Sequence, residues 1–185
     1  MRLRSFAQRL GSSDPRVQRF WLIAVMACVA DLTTKEVAHR LLGESGQVAL
    51  ASKLTLTLIF NTGTAGGLEI GPYTWVLNVT ITALALGLIG SVVRAMAAID
   101  GRACLALGLV TGGAIGNLAS MLAGPEGVAD FIGIQLTPSM AIVANVADIA
   151  LWGGALLLVP VAVTLIRLVQ AERASLWMVP AQNPM

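Results

Sequence analysis

The tightest constraint on this chain is where charge is missing. Residues 70–93, bounded by Glu69 and Arg94, carry none, and neither do 103–125, bounded by Arg102 and Glu126. Residues 131–166 carry one, Asp148. A helix needs about 20 mainly apolar residues to cross the hydrocarbon core of a bilayer, and each stretch supplies them. A shorter apolar run, Phe20 to Ala30 between Arg19 and Asp31, spans only if Asp31 and the threonines after it also enter the membrane region. With 56% hydrophobic and 12% charged residues in 185, a single water-facing globule could not hide its apolar surface. A soluble enzyme and a disordered tail are therefore excluded. So is a nucleic-acid binder, because the net charge is only +2 and no basic cluster is paired with aromatics. The expected fold is an all-α integral membrane protein, a four-transmembrane-helix bundle with helices near 17–36, 74–94, 103–122 and 140–168. The last helix has a re-entrant or interfacial lead-in ending near Thr137-Pro138. Tails 1–16 and 169–185 flank one membrane domain, 17–168.

Basic residues fix the orientation. Nine of the twelve, Arg2, Arg4, Arg9, Arg16, Arg19, Arg94, Arg102, Arg167 and Arg173, fall on one side, against Lys35, Arg40 and Lys53 on the other, which puts both termini in the cytoplasm. Arginines followed by an apolar run and Val25-Met26-Ala27-Cys28 mimic a cleavable secretory leader. Ser13-Asp14-Pro15, however, reads as a helix cap with proline in the first turn, and further spans follow, so a retained first helix with Cys28 as a packing residue is expected. Between the first two helices, Lys53-Leu-Thr-Leu-Thr-Leu-Ile-Phe60 alternates with period two, a strand signature. It leads into glycine-rich Asn61-Thr-Gly-Thr-Ala-Gly-Gly67, and a small extracytoplasmic β-element on the outer membrane face is expected there. Gly108, Gly112, Gly116 and Ser120 recur every four residues, a close-packing stripe of the kind membrane helices use.

Acids at membrane depth are expensive, and that makes them candidates for function. Asp148 lies about eight residues into the expected last helix, roughly 12 Å from its outer end at 1.5 Å per residue, with Asn145 on the same face. Asp130, in a connecting loop on the same outer side, is returned towards that helix by the 131–139 connection. Two carboxylates in a poorly hydrated site cannot both ionise cheaply, so they share a proton. One can then activate water as general base while the other protonates a leaving amine. Asp31 and Lys35, four apart, read as an i,i+4 pair with the lysine reaching for the headgroups, a structural feature. The lone His39 has no zinc-ligand spacing around it, and a serine–lysine dyad would have to use Lys35 or Lys53, the latter in a water-facing strand.

Taken in order, Asp31-x-x-x-Lys35, Asn61-Thr-Gly63, Gly112-Gly-Ala-x-Gly-Asn117, Val128-x-Asp130-Phe131 and Asn145-x-x-Asp148 resemble the lipoprotein signal peptidase (signal peptidase II) family, from about residue 17 to 168. The resemblance implies an aspartic endopeptidase of the bacterial inner membrane, multi-pass, with its active site near the outer face. It would remove signal peptides from diacylglyceryl-modified prolipoproteins by cutting before the lipidated cysteine. It implies Asp130 and Asp148 as the catalytic dyad, and Asn61, Gly63, Asn117 and Asn145 as substrate-positioning or supporting residues. Asp31 with Lys35 becomes a stability or positioning pair. No metal or cofactor, a monomer, membrane lipid as surroundings and inhibition by globomycin-like peptides are further implications.

The chain also departs from the family pattern. The usual Asn-x-x-Asp-Arg reads Asn117-Leu-Ala-Ser120-Met121, without the arginine that holds the substrate backbone. Gly66 stands for an aromatic residue, and Ala144 for a phenylalanine. A non-catalytic or specialised paralogue that binds lipoproteins or a membrane partner is the alternative those losses favour. A small transporter with Asp148 as proton relay is disfavoured, since no inverted repeat is visible.

Overall fold

A computed structural model describes residues 14–43, 46–62, 71, 73–123 and 127–177. The chain runs α1 (Pro15–Leu42), β1 (Gln47–Ala51), β2 (Leu54–Asn61), α2 (Thr74–Ile99), α3 (Arg102–Ala123), β3 (Val128–Thr137), β4 (Met140–Ala144) and α4 (Val146–Trp177). Among the described residues, α2, α3 and α4 are long and apolar enough to cross a membrane. α1 begins where expected, with Asp14 accepting from the Arg16 N–H and Pro15 opening the first turn, but continues through Asp31, Lys35, Glu36 and Arg40 to Leu42. α4 also outruns its expected end at 168.

Small residues assemble the bundle. Gly108 meets Phe20 and Ile23, Gly112 meets Ala24 and Ala27, and Gly116 meets Asp31, so α1 and α3 run parallel along the glycine stripe. On another face of α3, Gly113 meets Ala147 and Leu151, while Gly154 of α4 meets Ala106 and Val110; α4 therefore runs back antiparallel. Without directional attraction between apolar helices in lipid, such close backbone approach is what holds them. At the end where α2 turns into α3, Phe20, Val93, Ala97, Cys104, Leu107 and Val161 form one buried cluster. Asp100 is held there by Arg102, and Thr164 of α4 hydrogen-bonds to it. The Arg102 guanidinium and N–H lower the Asp100 carboxyl to about 2.

The sheet corrects the expected architecture. Among the described residues it has four strands in the order β1-β2-β3-β4, all antiparallel, so the β-element is not confined to the segment between the first two helices. Half of it comes from 128–144, between α3 and α4. Absence of charge cannot separate an apolar strand from a membrane helix, and Ile132-Gly-Ile-Gln-Leu-Thr137 is in fact an alternating strand, folded back at Pro138-Ser139. There is accordingly no re-entrant lead-in, and α4 starts at Val146 rather than near 140. Lys53 sits in the turn between β1 and β2, not in a strand. Leu56, Leu58, Ile132 and Val146 pack on Ala38, Leu42 and Phe131, which seats the sheet on the far end of α1.

Candidate active site

Where β3 meets the start of α4, the polar residues singled out in the sequence converge. Asp130 is not in a loop. It lies on β3 opposite Ile59 of β2, and Asn61, two residues further along β2 on the same face, donates from Nδ2 to Asp130 Oδ2 at 3.3 Å. That diagonal cross-strand pair depends on Gly127, whose φ of +95° and contact with the Asn61 carbonyl leave no room for a Cβ.

Asp148 lies in the first turn of α4 rather than two turns inside it. Asn145 is the helix cap: its Oδ1 accepts the Asp148 N–H at 2.9 Å, and Asp148 Oδ2 accepts the Asn145 N–H at 3.0 Å. This reciprocal pattern is a capping box, and it fixes the carboxylate. The Asn145 Nδ2 donates to Asp130 Oδ1 at 2.6 Å and to Asn117 Oδ1 at 3.2 Å. Asn117 Nδ2 donates in turn to Asp148 Oδ1 at 3.1 Å. One asparagine, wholly buried, thus touches both aspartates. Burial first, and the charge of Asp148 second, push the Asp130 carboxyl above its ordinary value, against the opposing hydrogen bonds from Asn145 and Asn61.

Asp31 and Lys35 are not an exposed pair reaching for headgroups. They are 0% and 6% exposed, 2.7 Å apart. Asp31 Oδ1 accepts the Ala147 N–H at 2.8 Å, capping α4 from α1. Lys35 Nζ donates to Asn117 Oδ1 at 2.7 Å and to Ser120 Oγ at 3.1 Å, so the ammonium orients the Asn117 amide that serves Asp148. Snorkelling loses because every donor of Lys35 finds a partner inside, and Gly116 leaves space for Asp31 against α3. Ser120, read from sequence as stripe and departure, is thus a ligand of this ammonium.

Gly63, Gly66 and the rest of residues 63–70 lie outside the described residues. Beside the aspartates opens a cavity of about 490 Å³, walled by α2, α3 and α4 and including Asn61, Asn117, Asn145 and Met121. Sequence reasoning missed its α2 wall, Asn78 and Thr82. The available signal was two amide- or hydroxyl-bearing residues, four apart, inside an uncharged span.

The family model described as signal peptidase (SPase) II matches residues 23–164. A protein of Mycobacterium tuberculosis (strain ATCC 25618 / H37Rv) named lipoprotein signal peptidase is 35% identical over 154 residues, 80% of this chain and 72% of its own length. One of that name from Maridesulfovibrio salexigens is 33% identical over 138 residues, covering 72% of this chain and 88% of its own. Two solved structures titled as bacterial membrane enzymes share the fold. One has a TM-score of 0.65 at 24% identity, covering 75% of this chain and 88% of that one. The other has a TM-score of 0.66 at 22% identity, covering 89% and 92%. With a motif order, a family model and relatives across most of its length in agreement, the chain belongs to the signal peptidase II family.

Proposed function

We propose that the chain is an aspartic endopeptidase that removes signal peptides from diacylglyceryl-modified prolipoproteins, cutting just before the lipidated cysteine. It would act at the outer face of the bacterial inner membrane, with both termini in the cytoplasm, as a monomer without metal or cofactor. The observation that carries this reading is Asn145 bridging the two carboxylates. Asp130, whose proton is held by burial and by the neighbouring charge, is the general acid, which leaves Asp148 as the general base.

Asp148 takes a proton from water as the oxygen attacks the scissile carbonyl. The tetrahedral intermediate collapses as Asp130 gives its proton to the departing nitrogen and the C–N bond breaks; proton return from Asp148 resets the pair. Asn61, Asn117 and Asn145 hold the carboxylates in register, while Asp31 and Lys35 hold Asn117 and the start of α4.

The test is cleavage of a lipidated precursor by the purified chain. Asp130→Asn and Asp148→Asn should each reduce it at least a thousandfold, and full activity in both would refute the assignment. The rival reading, a non-catalytic lipoprotein binder, draws on Met121 in the cavity wall. Met121→Arg separates the two: a peptidase short of substrate contacts gains cleavage, and a binder remains silent.

A further inference from the structure

The cavity beside the aspartates has a polar wall to which the mechanism above gives no task. Asn78 and Thr82 both line it, and residues four apart in a helix lie one above the other on one face. Their neighbours in the lining are apolar, Leu77, Ile81 and Leu86 on α2, with Leu118 on α3 and Leu151 on α4. A polypeptide presenting an extended scissile bond gives up its helical hydrogen bonds there, and stripped amides in a poorly hydrated site need new partners. On α3, the Asn117 amide is engaged by Asp148 and Lys35, and Met121, which also lines this space, is a thioether with no hydrogen to donate to a carbonyl.

Resting on the function proposed above, we infer that Asn78 and Thr82 form a substrate-binding rail. The Asn78 amide and the Thr82 hydroxyl hydrogen-bond successive backbone groups of the unwound precursor segment at the cut. In this chain α2 rather than α3 holds the substrate backbone. The asparagine side chain offers both donors and acceptors and the threonine hydroxyl either, so the rail reads backbone and tolerates varied side chains.

Binding is measured apart from cutting. In the Asp148→Asn background, a fluorescent precursor peptide with a diacylglyceryl-cysteine is titrated in bicelles, with Asn78→Leu and Thr82→Val introduced singly and together. Each should weaken binding about threefold to tenfold, as loss of one useful hydrogen bond does, and the pair by more than tenfold. Thr80→Val, on the exposed side of α2, should change nothing. Affinities within twofold of the parent in both variants, or an equal loss from Thr80→Val, overturn the rail. If the unsubstituted chain binds but never cleaves while Asn78→Leu still weakens binding, the peptidase reading falls and the rail stands. If the dyad variants abolish cleavage but binding ignores Asn78 and Thr82, the rail alone falls.

Discussion

Asn145 does two jobs that a substitution can pull apart. Its side-chain oxygen caps α4, and its side-chain nitrogen reaches Asp130 and Asn117. Serine caps a helix about as well as asparagine does, whereas alanine loses the cap at about 1 kcal/mol. Asn145→Ser should therefore unfold nearer the parent than Asn145→Ala does, by about 1 kcal/mol in thermal or denaturant melts. Cleavage should drop more than tenfold in both, because neither residue can donate to Asp130 as the amide does. Near-normal cleavage by Asn145→Ser would mean that the amide bridge is dispensable.

Asp130 supplies a second expectation at this scale. Its pKa is raised in the folded protein, chiefly by burial. Its protonated form is thus favoured by folding: the contribution is fully present below the ordinary aspartate value near 3.9 and is lost as pH rises through the higher folded value. Asp130→Asn cannot ionise, so its Tm relative to the parent should move in the variant's favour as pH is raised from 4 to 7. A constant difference across that range would deny the shift.

At the scale of elements, a buried charge pair on α1 reaches both neighbours, Asp31 to α4 and Lys35 to α3. Removing one partner of such a pair leaves an uncompensated charge inside and costs about 3–5 kcal/mol, while removing both costs less than the sum. Lys35→Met strands Asp31, although the Ala147 N–H still reaches it. Asp31→Ala strands Lys35 between the Asn117 and Ser120 oxygens. Unfolding of the two single variants and the double should show the double less destabilised than the two losses added together, and strict additivity would show that the charges do not depend on each other.

This arrangement also marks how far the chain was legible. Helix count and order, the Asp14-Pro15 start, the glycine stripe and strand β2 follow from local pattern. The placing of Lys35 does not, because its partners Asn117 and Ser120 come from another helix. β3 and β4 were hidden for a different reason, since apolar residues with no charge look alike in a strand and in a span. The sequence expects Asp130 in a loop, whereas it lies on a strand and reaches Asp148 through Asn145; it expects Asp148 two turns deep in α4, whereas the later helix start leaves it in the first turn.

Across the whole molecule, the helices are joined unequally. α1, α3 and α4 meet backbone to backbone through glycine, whereas α2 buries little beyond Thr74, Val93 and Ala97, the last two in the cluster with Val161 of α4. Towards the aspartates, α2 and α4 instead flank the cavity, with Leu86 on one side and Leu151 on the other. Such a wedge, closed at the α2–α3 turn and open near the dyad, suits sideways entry of a precursor helix from the lipid, which requires α2 to give way. Fixing α2 to α4 should then stop the reaction while leaving the carboxylates untouched. With Cys28 and Cys104 first replaced by alanine, Leu86→Cys and Leu151→Cys bridged by a short reducible bismaleimide should lose cleavage more than tenfold. Reducing the bridge should restore it, and each single cysteine treated alike should stay active. Unimpaired cleavage by the bridged protein would place the substrate's entrance elsewhere than between α2 and α4.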